Sequence, residues 1–310
     1  MKIGFFGTPE HSRNLLELML KENLEITFVV TNPDKPRGRG NILTPTPVKQ
    51  FAIANSLPVF EPNFKSNTGL DFLEISNVDL YIVYAYGSIL PETVFQKPKF
   101  GMWNLHGSLL PKYRGASPVQ SALANSEIFT GFTWQYVDKE LDRGDILALG
   151  EIPISATDNS ETLLDAITTK GFVSLLELLK KLELEKTKLV GTPQNHELAT
   201  YCKKWKKEDK ILSWKDGVSA IHGKVQALYS DGGAITSYRN QNILLEKTLP
   251  FGPESNLEPG SLFLENKKLY AVCGDGKSLE IISLKREGKN SMKSFDFWNG
   301  IRLHPGNKFV

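Results

Sequence analysis

Apolar segments of strand length alternate with amphipathic segments over the first 185 residues of the chain. An apolar run at residues 2–8 is followed by Pro9 and by a helical pattern at residues 10–22, which predicts a strand, a tight turn and a helix. Residues 79–87 are almost continuously apolar, as expected of a strand that is covered on both faces of a parallel sheet. Further strands are predicted at residues 25–32, 57–62, 100–107, 132–139 and 146–154, and further helices at residues 48–56 and 160–185. This order predicts an α/β fold with an open, mostly parallel, Rossmann-like sheet and helices on both of its faces.

The pattern changes near residue 186, where a polar, basic segment interrupted by Pro193 predicts a linker. After Trp214 the sequence shows one helical segment at residues 217–229 and then short strands separated by Gly, Asn and Pro. Strands of this length and spacing favour a small antiparallel barrel. The predicted domains are an α/β domain at residues 1–188, a linker at residues 189–206 and a second, smaller, OB-like β-barrel domain at residues 207–310.

The charge distribution separates the two parts of the chain further. The whole sequence carries 37 Lys and Arg against 35 Asp and Glu, but residues 201–310 carry 18 against 12 and residues 1–200 carry 19 against 23. A basic C-terminal part that follows an acidic N-terminal part is compatible with a polyanion guided to a catalytic domain. A basic domain without a nucleic-acid partner explains the same numbers, and charge alone does not choose between the two.

Several classes of protein and site lack their sequence signals here. No apolar run approaches the roughly 18 residues of a membrane span, and the N-terminal segment does not read as a secretory signal, so a cytoplasmic protein is predicted. Cys202 and Cys273 lie far apart and the five histidines lack HxxxH and HExxH spacings, so neither a disulfide framework nor a metal site is predicted. The GxGxxG, GxxxxGKS/T and GxSxG motifs are missing as well, which argues against dinucleotide binding, nucleotide hydrolysis and serine esterase chemistry.

Polar side chains with catalytic potential lie at the predicted end of the strand at residues 100–107. Asn104 and His106 are two residues apart, so both side chains point to the same face of that strand. Ligands of open parallel sheets bind at the carboxyl ends of the strands. Asp142 lies in a later acidic turn, where a carboxylate can hold His106 charged. An Asn-x-His pair is also common as a hydrogen-bonded end of a strand, so the spacing alone does not establish catalysis.

Seven motifs together carry a resemblance to a known family. They are FFGTPE at residues 5–10, TNPDKPRGRG at 31–40, PVK at 47–49, AYGSILP at 85–91, NLHGSLLPKYRGASP at 104–118, LDRGD at 141–145 and TYCKKWKKEDKILSW at 200–214. With these motifs the chain resembles the folate-dependent formyltransferases over nearly its whole length. NLHGSLLPKYRG is typical of the whole superfamily, whereas TNPDKPRGRG and a basic C-terminal domain are typical of its tRNA-acting branch.

The resemblance implies a reaction and assigns roles to three residues. The formyl group of 10-formyltetrahydrofolate would be transferred to the α-amine of methionine that is esterified to initiator tRNA, with no metal cofactor. Negative charge develops on the formyl oxygen in a tetrahedral intermediate, so the site must present donors to that oxygen. Asn104 and protonated His106 would be those donors. Asp142 would stabilise the imidazolium and accept, through water, a proton from the attacking ammonium.

The resemblance also assigns folate binding to two loops. Their backbone groups can bind the donor and acceptor edge of a pterin while apolar neighbours cover its ring. The residues are Tyr86, Gly87, Ser88, Ile89, Leu90 and Pro91 in the first loop, and Ser108, Leu109, Leu110 and Pro111 in the second. Without the resemblance, both segments would be interpreted as ordinary connections between strands and helices.

Two basic segments are predicted to bind the tRNA. Lys35, Arg37 and Arg39 alternate with Pro and Gly in a segment too rich in helix breakers to form a helix, and a mobile basic loop there can follow a phosphate backbone. By resemblance, Arg39 would contact the acceptor end of the tRNA. Phosphate contacts are also predicted for Lys203, Lys204, Lys206 and Lys207. The chain departs from the family at residues 228–236, where LYSDGGAIT replaces a common Pro-Trp-Pro-Gly stretch, so an RNA contact at that surface is in doubt.

Two other functions remain open at this point. An enzyme that formylates an amino sugar on a nucleotide carrier would use the same three side chains, although the basic GRG segment argues against it. An RNA-binding protein with a degenerate catalytic domain would not need Asn104, His106 and Asp142 together. Folate and initiator methionyl-tRNA are the predicted partners, no stable protein partner is predicted, and the chain is expected to be a monomer.

Overall fold

A computed structural model describes residues 1–37, 40–75, 77–300 and 307–310. The chain divides into two compact units. The first consists of Met1–Ala116, Gly131–Ile152 and Leu164–Tyr201, and the second of Ser117–Thr130, Pro153–Leu163 and Cys202–Val310. The sequence-based domain boundaries stay a prediction, but residues 189–201 of the predicted linker lie in the first unit.

Strands and helices are interspersed through the first 202 residues. The elements are β1 (Lys2–Gly7), α1 (Glu10–Lys21), β2 (Glu25–Val30), β3 (Lys35–Arg37), β4 (Ile42–Thr44), α2 (Pro47–Ala54), β5 (Val59–Phe60), β6 (Leu80–Tyr84), α3 (Glu92–Phe95), β7 (Met102–His106), β8 (Arg114–Gly115), α4 (Pro118–Ala124), β9 (Phe129–Tyr136), β10 (Ile146–Pro153), α5 (Ser160–Glu185) and β11 (Tyr201–Cys202). The remaining elements are α6 (Val218–Ala227), β12 (Ala234–Tyr238), β13 (Gln241–Leu249), β14 (Leu262–Glu265), β15 (Lys268–Val272), β16 (Ser278–Arg286), β17 (Met292–Lys293) and α7 (Ser294–Gly300).

A seven-stranded sheet with the order β10-β9-β7-β6-β1-β2-β5 forms the main layer of the first unit. Strands β5, β2, β1, β6 and β7 run parallel, and β9 pairs with β7 in the antiparallel direction. All five residues of β6 are buried, because a central parallel strand is covered on both faces. The prediction of an open, mostly parallel sheet is therefore confirmed.

The antiparallel pairing of β9 with β7 positions polar side chains beside the predicted catalytic residues. Asn104 lies opposite Gln135, and His106 lies opposite Thr133. Residues that are directly opposite in an antiparallel pair point to the same face of the sheet. The side chains of Gln135 and Thr133 therefore lie on the same face of the sheet as Asn104 and His106.

Helix α5 covers β7 closely because Gly171 lies at the contact. A Cβ atom at Gly171 would lie 2.8 Å from Cδ1 of Leu105, the residue between Asn104 and His106. The carbonyl oxygen of Gly171 accepts a hydrogen bond of 2.8 Å from Nε1 of Trp134 on β9. Glycine has a low helix propensity and so weakens the helix. At this position it permits the close contact between α5 and Leu105 of β7.

The second unit contains an antiparallel sheet with the order β12-β13-β16-β15-β14, and β17 pairs with β16. Residues 307–310 join its two outer strands. Val310 exchanges two backbone hydrogen bonds of 3.0 Å with Ser237 of β12, while Asn307 accepts one of 2.8 Å from Leu262 of β14. The sheet thus closes around an apolar core, in agreement with the predicted small antiparallel domain.

The basic segment at residues 31–40 is not simply a loop. Strands β3 and β4 form a two-stranded antiparallel hairpin in which Lys35 lies opposite Thr44. Asp34, just before the hairpin, accepts a hydrogen bond of 2.8 Å from Nζ of Lys49, which also donates one of 2.9 Å to Glu61. These bonds, first to Asp34 and then to Glu61, raise the pKa of Lys49. The hairpin therefore begins at an anchored residue.

None of the helices among the described residues combines the length and the apolar character of a membrane span.

Candidate active site

The structure brings Asn104, His106 and Asp142 together at the carboxyl end of β7. Nδ2 of Asn104 lies 3.4 Å from Oδ1 of Asp142, and Nδ1 of His106 lies 3.6 Å from the same oxygen. The side chains of His106 and Asp142 are only 6% and 8% exposed. An amide, an imidazole and a carboxylate thus converge from two segments that are far apart in sequence.

The imidazole of His106 has an oxygen beside each ring nitrogen. Nε2 lies 2.9 Å from the carbonyl oxygen of Tyr113, and Nδ1 faces the carboxylate of Asp142. A carbonyl oxygen can only accept, so Nε2 carries a hydrogen and donates it to Tyr113. The loop after β7 therefore fixes the ring orientation that the site presents.

Asp142 is held by donors on both of its carboxylate oxygens. Oδ1 accepts a hydrogen bond of 2.9 Å from Nε2 of Gln135, and Oδ2 accepts one of 2.8 Å from the backbone N–H of Gly115. The φ angle of Asp142 is +54°, a left-handed conformation that is uncommon for residues other than glycine and least costly for Asn and Asp. Several independent contacts therefore determine where this carboxylate points.

Three buried residues that support Asp142 were not predicted from the sequence as site residues: Gln135, Gln194 and Arg114. They are 1%, 6% and 1% exposed. Nε2 of Gln194 donates to the carbonyl oxygens of Asp142 at 3.0 Å and of Gly144 at 2.8 Å, and Nη2 of Arg114 donates to Oε1 of Gln194 at 2.6 Å. A polar residue inside an apolar strand was the only sequence signal for Gln135, and Gln194 gave none.

The segment that contains Gln194 is paired to the site along its length. Thr192 exchanges two backbone hydrogen bonds of 2.8 Å with Ile146, directly after the turn of Asp142. Oγ1 of Thr200 accepts a hydrogen bond of 2.8 Å from the backbone N–H of Tyr113, and the carbonyl oxygen of Thr200 accepts one of 2.8 Å from the backbone N–H of Arg114. Strand β11 then pairs with β8. Part of the predicted linker is therefore a support for the loop that contacts His106.

The predicted folate loop at residues 108–111 is fixed by Thr133 of β9. Oγ1 of Thr133 donates to the carbonyl oxygen of Ser108 at 2.7 Å and accepts from the N–H of Leu110 at 3.1 Å. Ser108 and Leu110 are buried, whereas Leu109 and Pro111 are half-buried. The exposed surface of this loop is thus contributed mainly by Leu109 and Pro111.

The loop at residues 86–91 is tied to the ends of β1 and β2. Thr8 donates to the carbonyl oxygen of Tyr86 at 2.7 Å, Asn32 donates to the same oxygen, and Ser88 donates to Oδ1 of Asn32 at 2.8 Å. The ring of Tyr86 is buried in an aromatic cluster, and this burial raises the pKa of its hydroxyl. Ile89 is 89% exposed. The Tyr86 ring is therefore part of the core, whereas Gly87, Ser88 and Ile89 are exposed.

The predicted tRNA-binding residues are exposed wherever the structure describes them. Lys35 is exposed on β3, the side chain of Arg37 is not described, and Arg39 lies outside the described residues. Four further lysines are exposed after β11: Lys203, Lys204, Lys206 and Lys207. Lys203 lies 3.3 Å from Asp209. Among the described side chains, no three His, Cys, Asp or Glu residues come together in a way that could hold a metal ion.

Comparison with known families gives two matches that follow one another along the chain. The description "Formyl transferase" matches residues 1–179, and "Formyl transferase, C-terminal domain" matches residues 204–302. The first match includes all three residues of the convergent group.

Curated relatives match over the full length. A protein of Leptospira interrogans named methionyl-tRNA formyltransferase is 45% identical, with 100% of both chains covered. A protein of the same name from Microcystis aeruginosa is 37% identical, again with 100% of both chains covered.

Solved structures show the same fold at low identity. HypX from Aquifex aeolicus in complex with tetrahydrofolic acid has a TM-score of 0.67 at 19% identity, covering 96% of this chain, and the chain spans about half (47%) of HypX. An N-formyltransferase from Helicobacter canadensis with folinic acid and dTDP-3-aminofucose has a TM-score of 0.67 at 17% identity, covering 91% of this chain and 98% of that one. Methionyl-tRNA formyltransferase from Clostridium thermocellum has a TM-score of 0.57 at 17% identity, covering 91% and 99%.

Proposed function

We propose, from the premise that the chain belongs to the methionyl-tRNA formyltransferase family, that it transfers a formyl group from 10-formyltetrahydrofolate to the α-amine of methionyl initiator tRNA. The observation that carries this proposal is the convergence of Asn104, His106 and Asp142 in a chain whose full-length relatives have that name. Translation initiation would make the protein cytoplasmic, as the sequence predicts.

The chemistry of formyl transfer accounts for the types of residue in the site. A neutral amine attacks the formyl carbon, and the formyl oxygen gains negative charge in the tetrahedral intermediate. Asn104, through its amide N–H, and His106, through a ring N–H, donate to that oxygen. The formyl oxygen competes for Nε2–H of His106 with the carbonyl of Tyr113, 2.9 Å away in this structure. Asp142 accepts, through water, the proton that the attacking amine loses. When the intermediate collapses, the bond between the formyl carbon and N10 of the folate breaks, and that proton passes back through water to N10, so that neutral tetrahydrofolate leaves.

Two loops are suited to a pterin. The backbone groups of residues 86–91 and 108–111 that Thr8, Asn32 and Thr133 do not already bind would supply hydrogen-bond donors and acceptors, and the exposed Ile89 with the half-buried Leu109 would supply apolar cover. Folate-bound neighbours of the same fold support a tetrahydrofolate-derived donor.

We propose that the acceptor is tRNA because full-length relatives are named for methionyl-tRNA and because basic side chains are exposed. The amino-sugar enzyme is a neighbour at 17% identity, whereas full-length relatives named for methionyl-tRNA reach 45%. Sites for phosphate contacts are provided by the exposed side chains of Lys35, Lys203, Lys204, Lys206 and Lys207. Arg39 is proposed to contact the acceptor end.

One assay separates the candidate functions. The protein is incubated with 10-formyltetrahydrofolate and either charged initiator tRNA or an amino-sugar nucleotide, and the release of tetrahydrofolate is followed. Release only with tRNA is expected. Release only with the sugar would establish the alternative enzyme, and no release with either acceptor would favour an RNA-binding protein.

Substitutions test the three roles. Asn104→Ala, His106→Ala and Asp142→Ala are each expected to lower kcat by roughly 100-fold to 1000-fold, because one preorganised group is lost. Asn55→Ala is a matched control, since Asn55 is exposed and its side chain bonds to Phe51 of its own helix. Wild-type turnover in any active-site variant would remove that residue from the mechanism.

A further inference from the structure

We propose that Gln194 is a positioning residue that sets the orientation of Asp142 from the segment between α5 and β11. The inference rests on the proposed formyl transfer. Gln194 touches none of the reacting groups itself, and it acts on them through the turn of Asp142 and through Gln135.

The contacts of Gln194 fix its amide in one orientation. Arg114 has donors only, and its Nη2 and Nε lie 2.6 and 3.2 Å from Oε1 of Gln194. Nε2 of Gln194 therefore faces the opposite side, where its two hydrogens are shared among the carbonyl oxygens of Asp142 and Gly144 and, at 3.2 Å, Oε1 of Gln135. The reversed amide would place its nitrogen against Arg114 and its oxygen against three other oxygens.

This orientation controls Asp142 in two ways. The bonds to Asp142 and Gly144 hold the backbone of the turn, including the left-handed Asp142. The bond to Oε1 of Gln135 leaves the Gln135 nitrogen free to donate to Oδ1 of Asp142 at 2.9 Å. One buried amide thus determines both the backbone and the side-chain partner of the carboxylate.

The guanidinium of Arg114, which binds Oε1 of Gln194, is itself held by two further contacts. It lies over the ring of Tyr201 at 5.9 Å, and Nη2 donates to Nδ1 of His196 at 2.9 Å. The next residue, Gly115, donates its N–H to Oδ2 of Asp142. The same segment therefore supports both oxygens of the carboxylate.

Two substitutions with different effects on packing test the role. Gln194→Glu keeps the size and the acceptor for Arg114 but replaces the donor with a second oxygen, and Gln194→Met removes both polar groups. We expect kcat to fall by about 10-fold to 100-fold in each, since a displacement of about 1 Å can cost this much, while the KM values for both substrates stay unchanged. Asn195→Ala is the matched control, because Asn195 is exposed on the same segment and caps only a local turn.

A double-mutant cycle with Asp142→Asn distinguishes positioning from general stability. If Gln194 acts through Asp142, its substitution costs little further activity once the carboxylate is lost, so the two effects on kcat are not additive. Additive effects, or wild-type kcat in Gln194→Glu, would overturn the proposal. If Gln194→Met does not fold, the cycle with Gln194→Glu decides alone. Wild-type enzyme that formylates no acceptor would count against the proposed function, whereas an active wild type with additive variants counts only against the role of Gln194.

Discussion

Replacement of Asp142 by asparagine removes one charge with almost no change in shape. The carboxylate accepts from Gln135 on Oδ1 and from Gly115 on Oδ2, with Asn104 at 3.4 Å from Oδ1. Asparagine has one oxygen and one NH₂ group, so it can accept on one side only. Whichever way it turns, its nitrogen meets another N–H donor in a nearly buried position.

The surrounding network does not let its partners adapt. Gln135 could accept from the new amide only by turning its own amide over, but its Oε1 already receives the bond from Gln194. At least one hydrogen bond to a charged group is therefore lost, which costs about 1.5–3 kcal/mol of unfolding free energy. Loss of the proton acceptor is expected to lower kcat by about 100-fold to 10,000-fold.

Two measurements check this prediction independently. Urea unfolding gives the change in stability, and single-turnover formylation of methionyl-tRNA gives the chemical step. Asp138→Asn serves as the control, since the exposed Asp138 accepts from the N–H of Lys139 outside the network. A folded Asp142→Asn enzyme with unchanged single-turnover rate would refute the reasoning.

Further predictions concern the packing and titration of the first unit. Gly144→Ala is expected to lower the Tm and kcat together, because a Cβ there would overlap the carbonyl oxygen of Tyr136 and displace the turn of Asp142, at a cost of about 1–3 kcal/mol. Gly300→Ala, whose Cβ would meet no atom of the described residues within 4 Å, should leave both unchanged. Lys49 has a raised pKa from its two carboxylate partners, so its contribution to stability is full below its ordinary pKa of 10.5 and is lost as the pH rises through its native pKa. Urea unfolding from pH 8 upwards should therefore show a lower free energy of unfolding for Lys49→Met than for the wild type, and the two values should approach each other only above pH 10.5. Burial lowers the pKa of His11 from 6.5 to about 4. Between these values the unfolded state binds a proton that the native state does not, so the free energy of unfolding decreases as the pH falls. Urea unfolding should show a smaller decrease in His11→Phe than in the wild type.

The convergence of the three candidate catalytic residues could be predicted because each depends on a local signal. Asn104 and His106 lie at alternate positions of an apolar strand that ends at Gly107, and parallel sheets bind ligands at that end. Asp142 lies in a turn between two predicted strands. Strand direction and turn position indicated where each residue lies, whereas the joint role of the three side chains was implied by the resemblance to the formyltransferases.

The support around them could not be predicted because it depends on pairs that are distant in sequence. Gln194 contacts Gln135 across 59 residues and Arg114 across 80. A glutamine in a strand or in a polar segment gives no indication of its partner. The hairpin of β3 and β4 was missed for a related reason, since Pro and Gly indicate only that a helix is excluded.

Polarity was the signal that predicted a linker at residues 189–206, since solvated connections are polar. The same polarity is required of a segment whose partners are buried backbone groups, because each of those groups needs a hydrogen bond. Composition therefore cannot distinguish a connection from a support, and only the partners can. Thr192 pairs with Ile146, Gln194 with the turn of Asp142, and Thr200 with the loop that contacts His106. Substitutions of the residues that make these bonds should accordingly act on formyl transfer through the orientation of the carboxylate and the imidazole, whereas exposed neighbours such as Asn195 should not.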